Sequence, residues 1–325
     1  MSRREEGKRR SGSQREGGKR RSGSQREAPR ARNEGLTILE LTITIAMTGL
    51  LAVGLSGLLR HPLSAREAVG RRAEMVEIAE IALTRLTRDI EYAVPKSVRV
   101  AGGGVALELM SATHAGPYRA TEGVNDPGGP GEQDHSADSD RLTLSADTSF
   151  NALGRIANRS IAYGAAMPWG TRVVVGPTSP ATLWDDAAAN RDPGSITPGS
   201  TVVRILDDGD EDQIQLASAH TFSGASVSRR FYFTDAPVSY VWDAAERSLW
   251  RVTGYGTHST QPSDRSAAPL STGSAALAAV DVERCTFSYD PGSSAQGGLV
   301  TVELVIESGG ERVRLLEQVE VRHAP

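Results

Sequence analysis

Residues 36–59 read LTILELTITIAMTGLLAVGLSGLL, twenty-four residues with one formal charge, Glu40. As a helix this stretch is about 36 Å long, enough to cross a hydrocarbon core of roughly 30 Å. A lone span in lipid must be helical, because its backbone groups can pair only with one another. The run is too long for the apolar part of a secretory signal, and no small-x-small cleavage site follows it directly. The positive charges lie mostly before it, which predicts a cytoplasmic N-terminus and the bulk of the chain on the far side of an inner membrane.

Upstream of this run the composition changes sharply. Residues 1–35 carry 12 Lys and Arg against 5 Glu, net +7, while the other 290 residues carry 24 against 35 acids, net -11. The basic part repeats GKRRSGSQRE at 7–16 and 18–27 and holds no large apolar side chain after Met1, so it is expected to be a disordered leader. A basic run can attract phosphate, but one set directly before a span reads as an orientation signal, and no nucleic-acid partner is expected. Among all 325 residues there is one cysteine, which excludes an internal disulfide and any multi-cysteine metal knuckle. Gly and Pro together make 50 residues, a turn-rich composition that argues against an all-helical bundle.

Downstream, helical periodicity continues. Met75, Ile78, Ala79, Ala82, Leu83, Leu86 and Ile90 recur at three- and four-residue steps, with most charges off that stripe. The expectation is one long helix, transmembrane over 36–59 and amphipathic over 60–94, with a kink or short melted turn at Pro62 and an end at Pro95.

After Pro95 the period becomes two. Strands are expected at 105–110, 141–144, 171–175, 201–206, 213–216, 227–233, 238–242, 249–252, 283–289, 299–306 and 312–321. Two hairpins stand out, one turning at Ser308-Gly309-Gly310 and one through residues 243–248. No long helical pattern remains for parallel crossovers, so the sheets of this 95–325 head should be antiparallel. Residues 116–140, 177–200 and 255–274 read as long loops.

Glu40 is the anomaly of the apolar run. An acid near the start of a membrane helix is costly unless it finds a partner. Cutting the Gly35-Leu36 bond would supply one, an α-amino group on Leu36 about one helical turn away. The stretch Gly35-Leu36-Thr37-Ile38-Leu39-Glu40 followed by an apolar run resembles the cleavage and methylation motif of type IV prepilins and type II secretion pseudopilins, whose usual form is G followed by F-T-L-I-E. Leu36 stands where the family usually has Phe, and Ile38-Leu39 reverse the common order. The resemblance implies an α+β lollipop, a long N-terminal helix packed on an antiparallel β-rich head. It also implies cleavage after Gly35 and methylation of Leu36 by a prepilin peptidase. Glu40 would then serve assembly with other pilin or pseudopilin subunits on an inner-membrane platform. Further on, PVSYVWD at 237–243 with Leu249-Trp250-Arg251, VERCTFSYD at 282–290 and the tail VEVRHAP at 319–325 resemble segments of the MSHA pilus biogenesis protein O group. The implied role is a minor pilin, the alternative a J-type pseudopilin of type II secretion; a single-pass membrane receptor or enzyme that keeps its N-terminus is the remaining reading. That group has a cysteine where this chain has Trp242, so the resemblance implies a lost bridge to Cys285. By alternation Cys285, Phe287 and Tyr289 should point into the head, with Trp242 filling the vacated space if the two strands pair.

Catalytic patterns are not evident. The histidines at 61, 114, 135, 220, 258 and 323 form no H-E-x-x-H, and no Walker loop, Rossmann fingerprint or G-x-S-x-G occurs. The expectation is a chain that is not itself an enzyme. Asp207, Asp208, Asp210, Glu211 and Asp212 could offer oxygens to calcium, as could Asp134, Asp138 and Asp140, although an acidic turn between strands is the commoner origin of the first cluster.

Overall fold

The computed structural model describes residues 37–120, 141–156, 161–292 and 297–321, and of residues 56–65 the backbone alone. The chain divides into two compact units, Met1–His61 and Pro62–Pro325. The fold is α+β. Its first element, α1 (Ile38–Glu91), is a single helix of 54 residues.

The first unit contributes the apolar part of α1. Ile38–Leu55 has a mean hydropathy of 2.0 and no buried residue, which makes it long and apolar enough to cross a membrane. Glycines at 49 and 54 do not interrupt it. Nor does Pro62. The helix runs through that position, so the short melted turn expected there does not form. A proline removes one hydrogen bond at a cost of roughly 3 kcal/mol, and strong helix on both sides can carry that loss.

In the second unit the rest of α1 packs on strands. Met75, Ala79, Ala82, Leu83, Leu86 and Ile90 are each at most 6% exposed, the stripe read from their spacing. The chain leaves the helix by pairing. Val94 N–H donates to Met110 O at 2.8 Å, and Ala93 bridges Ser111. Three antiparallel sheets follow. The largest holds β1 (Arg99–Ala101), β2 (Ala106–Pro117), β7 (Arg230–Asp243), β8 (Ser248–Thr253) and β9 (Ser274–Ala279) in that order, with β4 (Arg172–Val175) also paired to β7. The second is β3 (Asp147–Ala152), β6 (Glu211–His220) and β5 (Val203–Asp208). The third is the C-terminal meander of β10 (Val282–Asp290), β11 (Leu299–Ser308) and β12 (Glu311–Glu320).

One core joins the α1 stripe to Leu107, Leu109, Val238 and Tyr240 of the large sheet and to Cys285, Phe287, Val300, Val302, Leu304 and Ile306 of the meander. The helix therefore closes over two sheets at once. Burial of each large side chain in that seam is worth roughly 1.5–3 kcal/mol. A second core holds Phe150, Ile205 and Ile214 against Phe231 and Phe233, and a third holds α2 (Pro180–Ala189) through Leu183 and Trp184.

Both expected hairpins form. Ser308 pairs with Glu311 across Gly309 and Gly310, whose φ values of +59° and +79° are what a two-residue primed turn requires. Trp242 pairs with Leu249 across the other. Four expectations are corrected. Residues 141–144 are not a strand, and the pairing segment is β3 instead. The expected strands 227–233 and 238–242 merge into one, β7, which begins only at Arg230, residues 227–229 forming the turn before it; Pro237 falls at a register shift where its missing N–H costs little. The 177–200 loop contains α2, begun by Ser179 Oγ accepting from Thr182 N–H and ended by Asn190 at φ +50°. Residue 274 opens β9 rather than closing a loop.

Candidate functional site

The N-terminal end of α1 carries the residues singled out by the motif. Gly35 and Leu36 lie outside the described residues, as do Asp134, Asp138 and Asp140. Thr37 Oγ1 accepts from Glu40 N–H at 3.3 Å, a capping bond for the first turn. Glu40 is exposed. Around it the hydroxyls turn inward. Thr42 Oγ1 donates to Leu39 O at 2.8 Å, Thr44 Oγ1 to Glu40 O at 2.9 Å, and Thr48 Oγ1 to Thr44 O. With these groups satisfied locally, the outer surface is almost wholly apolar: Ile38, Leu50, Leu51 and Val53 are each more than 70% exposed. A surface of this kind and size is stable only in lipid or against other apolar helices.

Four polar contacts tie the second half of α1 to the strands. Asp89 accepts from Tyr240 Oη at 2.7 Å and from Arg251 Nε at 2.6 Å. Its charge, after burial, raises the Tyr240 hydroxyl far above the usual phenol range. Arg71 and Arg72 both reach Glu311, at 3.3 and 2.9 Å, beside the β11–β12 turn.

The acidic turn is a hairpin, with Asp208 paired to Glu211 across Gly209 and Asp210. Its oxygens are occupied by protein donors. Asp207 takes Arg155 Nη1 at 2.7 Å, Asp208 takes Asn151 Nδ2 at 2.6 Å, and Asp212 takes Ile156 N–H at 2.6 Å and Tyr163 Oη at 2.8 Å. Glu211 is held by Arg119. Among the described residues no group of three or more His, Cys, Asp or Glu side chains is placed to hold a metal ion. Asp207, Asp208, Glu211 and Asp212, expected as possible calcium ligands or as an acidic turn between strands, thus share their oxygens with Arg155, Asn151, Arg119, Tyr163 and the Ile156 amide.

Cys285 is 1% exposed in the main core, flanked by buried Phe287 and half-buried Tyr289, as alternation implies. Trp242 packs against the same core half-buried, and its Nε1–H donates to Val282 O at 3.2 Å, at the start of β10. The strands themselves do not pair, since β7 and β10 belong to different sheets. Trp242 thus bridges two sheets through its indole edge instead of lying beside Cys285 along a ladder.

Two buried polar clusters have no counterpart in the sequence reading. In one, Glu108 is fully buried and accepts from Arg99 Nε at 2.6 Å and Tyr255 Oη at 2.9 Å, while Ser239 Oγ meets Tyr255 Oη at 2.6 Å. Arg99 also donates to the His258 and Ser259 carbonyls and stacks 3.9 Å over Trp184. Burial raises the Glu108 carboxyl and lowers the Arg99 guanidinium against their mutual attraction, the mark of a pair taken out of water. This cluster anchors the long 255–274 loop to β2. In the other, Arg172 is 4% exposed, has no carboxylate bonded to it among the described residues, donates to the Ala187 and Thr197 carbonyls at 3.0 and 2.6 Å, and is lowered to about 10 by burial. It caps the C-terminal end of α2, where the helix dipole favours a cation. Each cluster joins side chains from separate elements, so no pattern within one element announces it.

No protein-family model, no curated protein and no solved structure matches this chain. The architecture, a long N-terminal helix followed by an antiparallel β-rich head, is consistent with a generic pilin-like plan, and the single apolar helix with a single-pass membrane protein.

Proposed function

We propose that this chain is a non-enzymatic subunit of a pilus or pseudopilus, a minor pilin or pseudopilin. It is held in the inner membrane by residues 36–59 and released for assembly by cleavage after Gly35. The observation that carries the reading is the division of one helix into two kinds of surface. Ile38–Leu55 is apolar and wholly exposed, while the stretch from Met75 to Ile90 buries its apolar stripe under strands. The first surface awaits lipid or neighbouring helices, and the second fastens that element to a folded head. In this reading Glu40, in the first turn of α1, would meet the α-amino group of a neighbouring subunit's Leu36 in a dry bundle and fix its register. Prepilin peptidase, other pilin-like subunits and an inner-membrane assembly platform are the partners this reading names.

Mass spectrometry of the N-terminus of membrane-extracted protein is the test. A mature chain starting at methylated Leu36 is expected, and an intact peptide spanning Asn33 to Thr37 would refute the reading. Replacing Gly35 with a bulky residue should preserve the precursor. Glu40→Gln or Glu40→Leu should leave cleavage intact and reduce incorporation into filaments, and loss of cleavage instead would move Glu40 to the processing step.

A further inference from the structure

The outer face of the second half of α1 carries a stripe that complements itself when shifted. Arg66, Gly70, Glu74, Glu77, Ile81, Arg85 and Arg88 are all exposed, on the side opposite the buried stripe. At 100° per residue they fall within about 100° of one another around the helix. Their spacing of four, four and three residues repeats every 11, close to a whole number of turns, so an 11-residue shift lays the stripe on itself. Each position then meets its complement. Arg66 meets Glu77, Gly70 meets Ile81, Glu74 meets Arg85, and Glu77 meets Arg88. None of these charged side chains has an ion-pair partner among the described residues; of the opposite charges three residues away, Arg71 is engaged by Glu311, and Glu91 stands after Arg88. Ile81 is 62% exposed. Gly70 is a locally disfavoured residue in an exposed helix, and a side chain added there would meet nothing within 4 Å. A close approach by Ile81 from another helix gives that glycine a reason.

We infer that this face docks a second copy of the chain, helix parallel to helix, displaced by 11 residues or about 16 Å along the axis. The parallel direction rests on the membrane-anchored reading above, since copies inserted through the same N-terminal span run the same way. An antiparallel pair centred on Ile81 also matches Glu74 with Arg88 and Glu77 with Arg85, but it leaves Arg66 and Gly70 unused. The two halves of the stripe point nearly the same way round the helix, so a third copy cannot reach the vacant halves. The contact makes a staggered pair rather than an endless row.

Cysteine cross-linking of the full chain in membranes tests this, with native Cys285 buried and the unsubstituted protein as control. Two differently tagged copies, Gly70→Cys and Ile81→Cys, should form a mixed disulfide when co-expressed, and neither should cross-link alone. Ile81→Cys joining to itself would establish the antiparallel contact and overturn the staggered one, as would absence of any cross-link. Arg85→Glu with Arg88→Glu in the Ile81→Cys copy should reduce the mixed product about tenfold, two exposed pairs having become repulsive. Glu74→Arg with Glu77→Arg in the other copy should restore it. A product indifferent to these reversals overturns the register. The N-terminal mass from the same membranes reports separately on the proposed function.

Discussion

His220 is fully buried between the α2 region and β6, with Nε2 3.1 Å from Gly194 O and Nδ1 3.6 Å from Asp192 Oδ1. Burial holds its imidazole below the usual value and outweighs the Gly194 carbonyl and Asp192, while Arg172 lowers it further and Asp186 opposes that. In the unfolded chain the same group titrates near about 6.5. Between that value and the lower folded one, the unfolded state binds a proton that the folded state refuses. Stability from this group is therefore complete above pH about 6.5 and falls as the pH drops through that window. Urea unfolding at pH 7.5 and pH 5 should show a larger loss for the native protein than for His220→Gln, and equal losses would assign the acid sensitivity to other groups. Cys285 gives a simpler expectation. Burial, with Glu303 adding to it, pushes its thiol far above the ordinary range. Iodoacetamide should leave the folded protein unlabelled and modify it fully in urea, because the thiolate is the nucleophile.

At the scale of elements, the seam between α1 and the strands decides the stability of the head. Leu86 is fully buried there, and Leu86→Ala should cost about 2–5 kcal/mol, since a cavity is added to the lost transfer energy. Ile81, five residues earlier and 62% exposed, should tolerate alanine within about 0.5 kcal/mol. Thermal unfolding of the two variants measures the contrast, and similar losses would mean that the stripe is misplaced. That stripe is legible in the sequence, because 3.6-residue periodicity survives whatever the helix packs on. The hairpins at 309–310 and 243–248 were readable too, through turn residues between alternating strands. By contrast, β3 has only Phe150 as a large apolar side chain, and β9 is SAALAA, so neither carries a periodic signal. Both are strands because a neighbour offers them backbone partners. The start of α2 was present as Ser179-Pro180, but the surrounding Gly and Pro content masked it. The buried Arg99, Glu108 and Tyr255 cluster was invisible for a different reason: Arg99 and Glu108 face each other only once β1 pairs with β2, and Tyr255 reaches them from beyond β8.

For the whole molecule, the division at His61 and Pro62 makes a physical claim about where folding free energy resides. Among the described residues every buried core side chain lies beyond Pro62, and residues 37–55 are exposed. The apolar run should then govern location and assembly and contribute little to the stability of the head. A chain beginning at Pro62 keeps the whole buried stripe of α1, the Asp89 contacts with Tyr240 and Arg251, and the pairing of Arg71 and Arg72 with Glu311. It also loses the surface that requires lipid or neighbouring helices. Such a chain should be soluble without detergent and unfold in one cooperative transition. Its midpoint should lie within about 4 °C of that of the detergent-solubilised full chain, the shift expected for no more than about 1 kcal/mol in a domain of this size. The full chain should stay with the membrane fraction. Aggregation of the shortened chain, or a midpoint lowered well beyond that margin, would show that residues before Pro62 help to hold the head together, contrary to the separation of the two units.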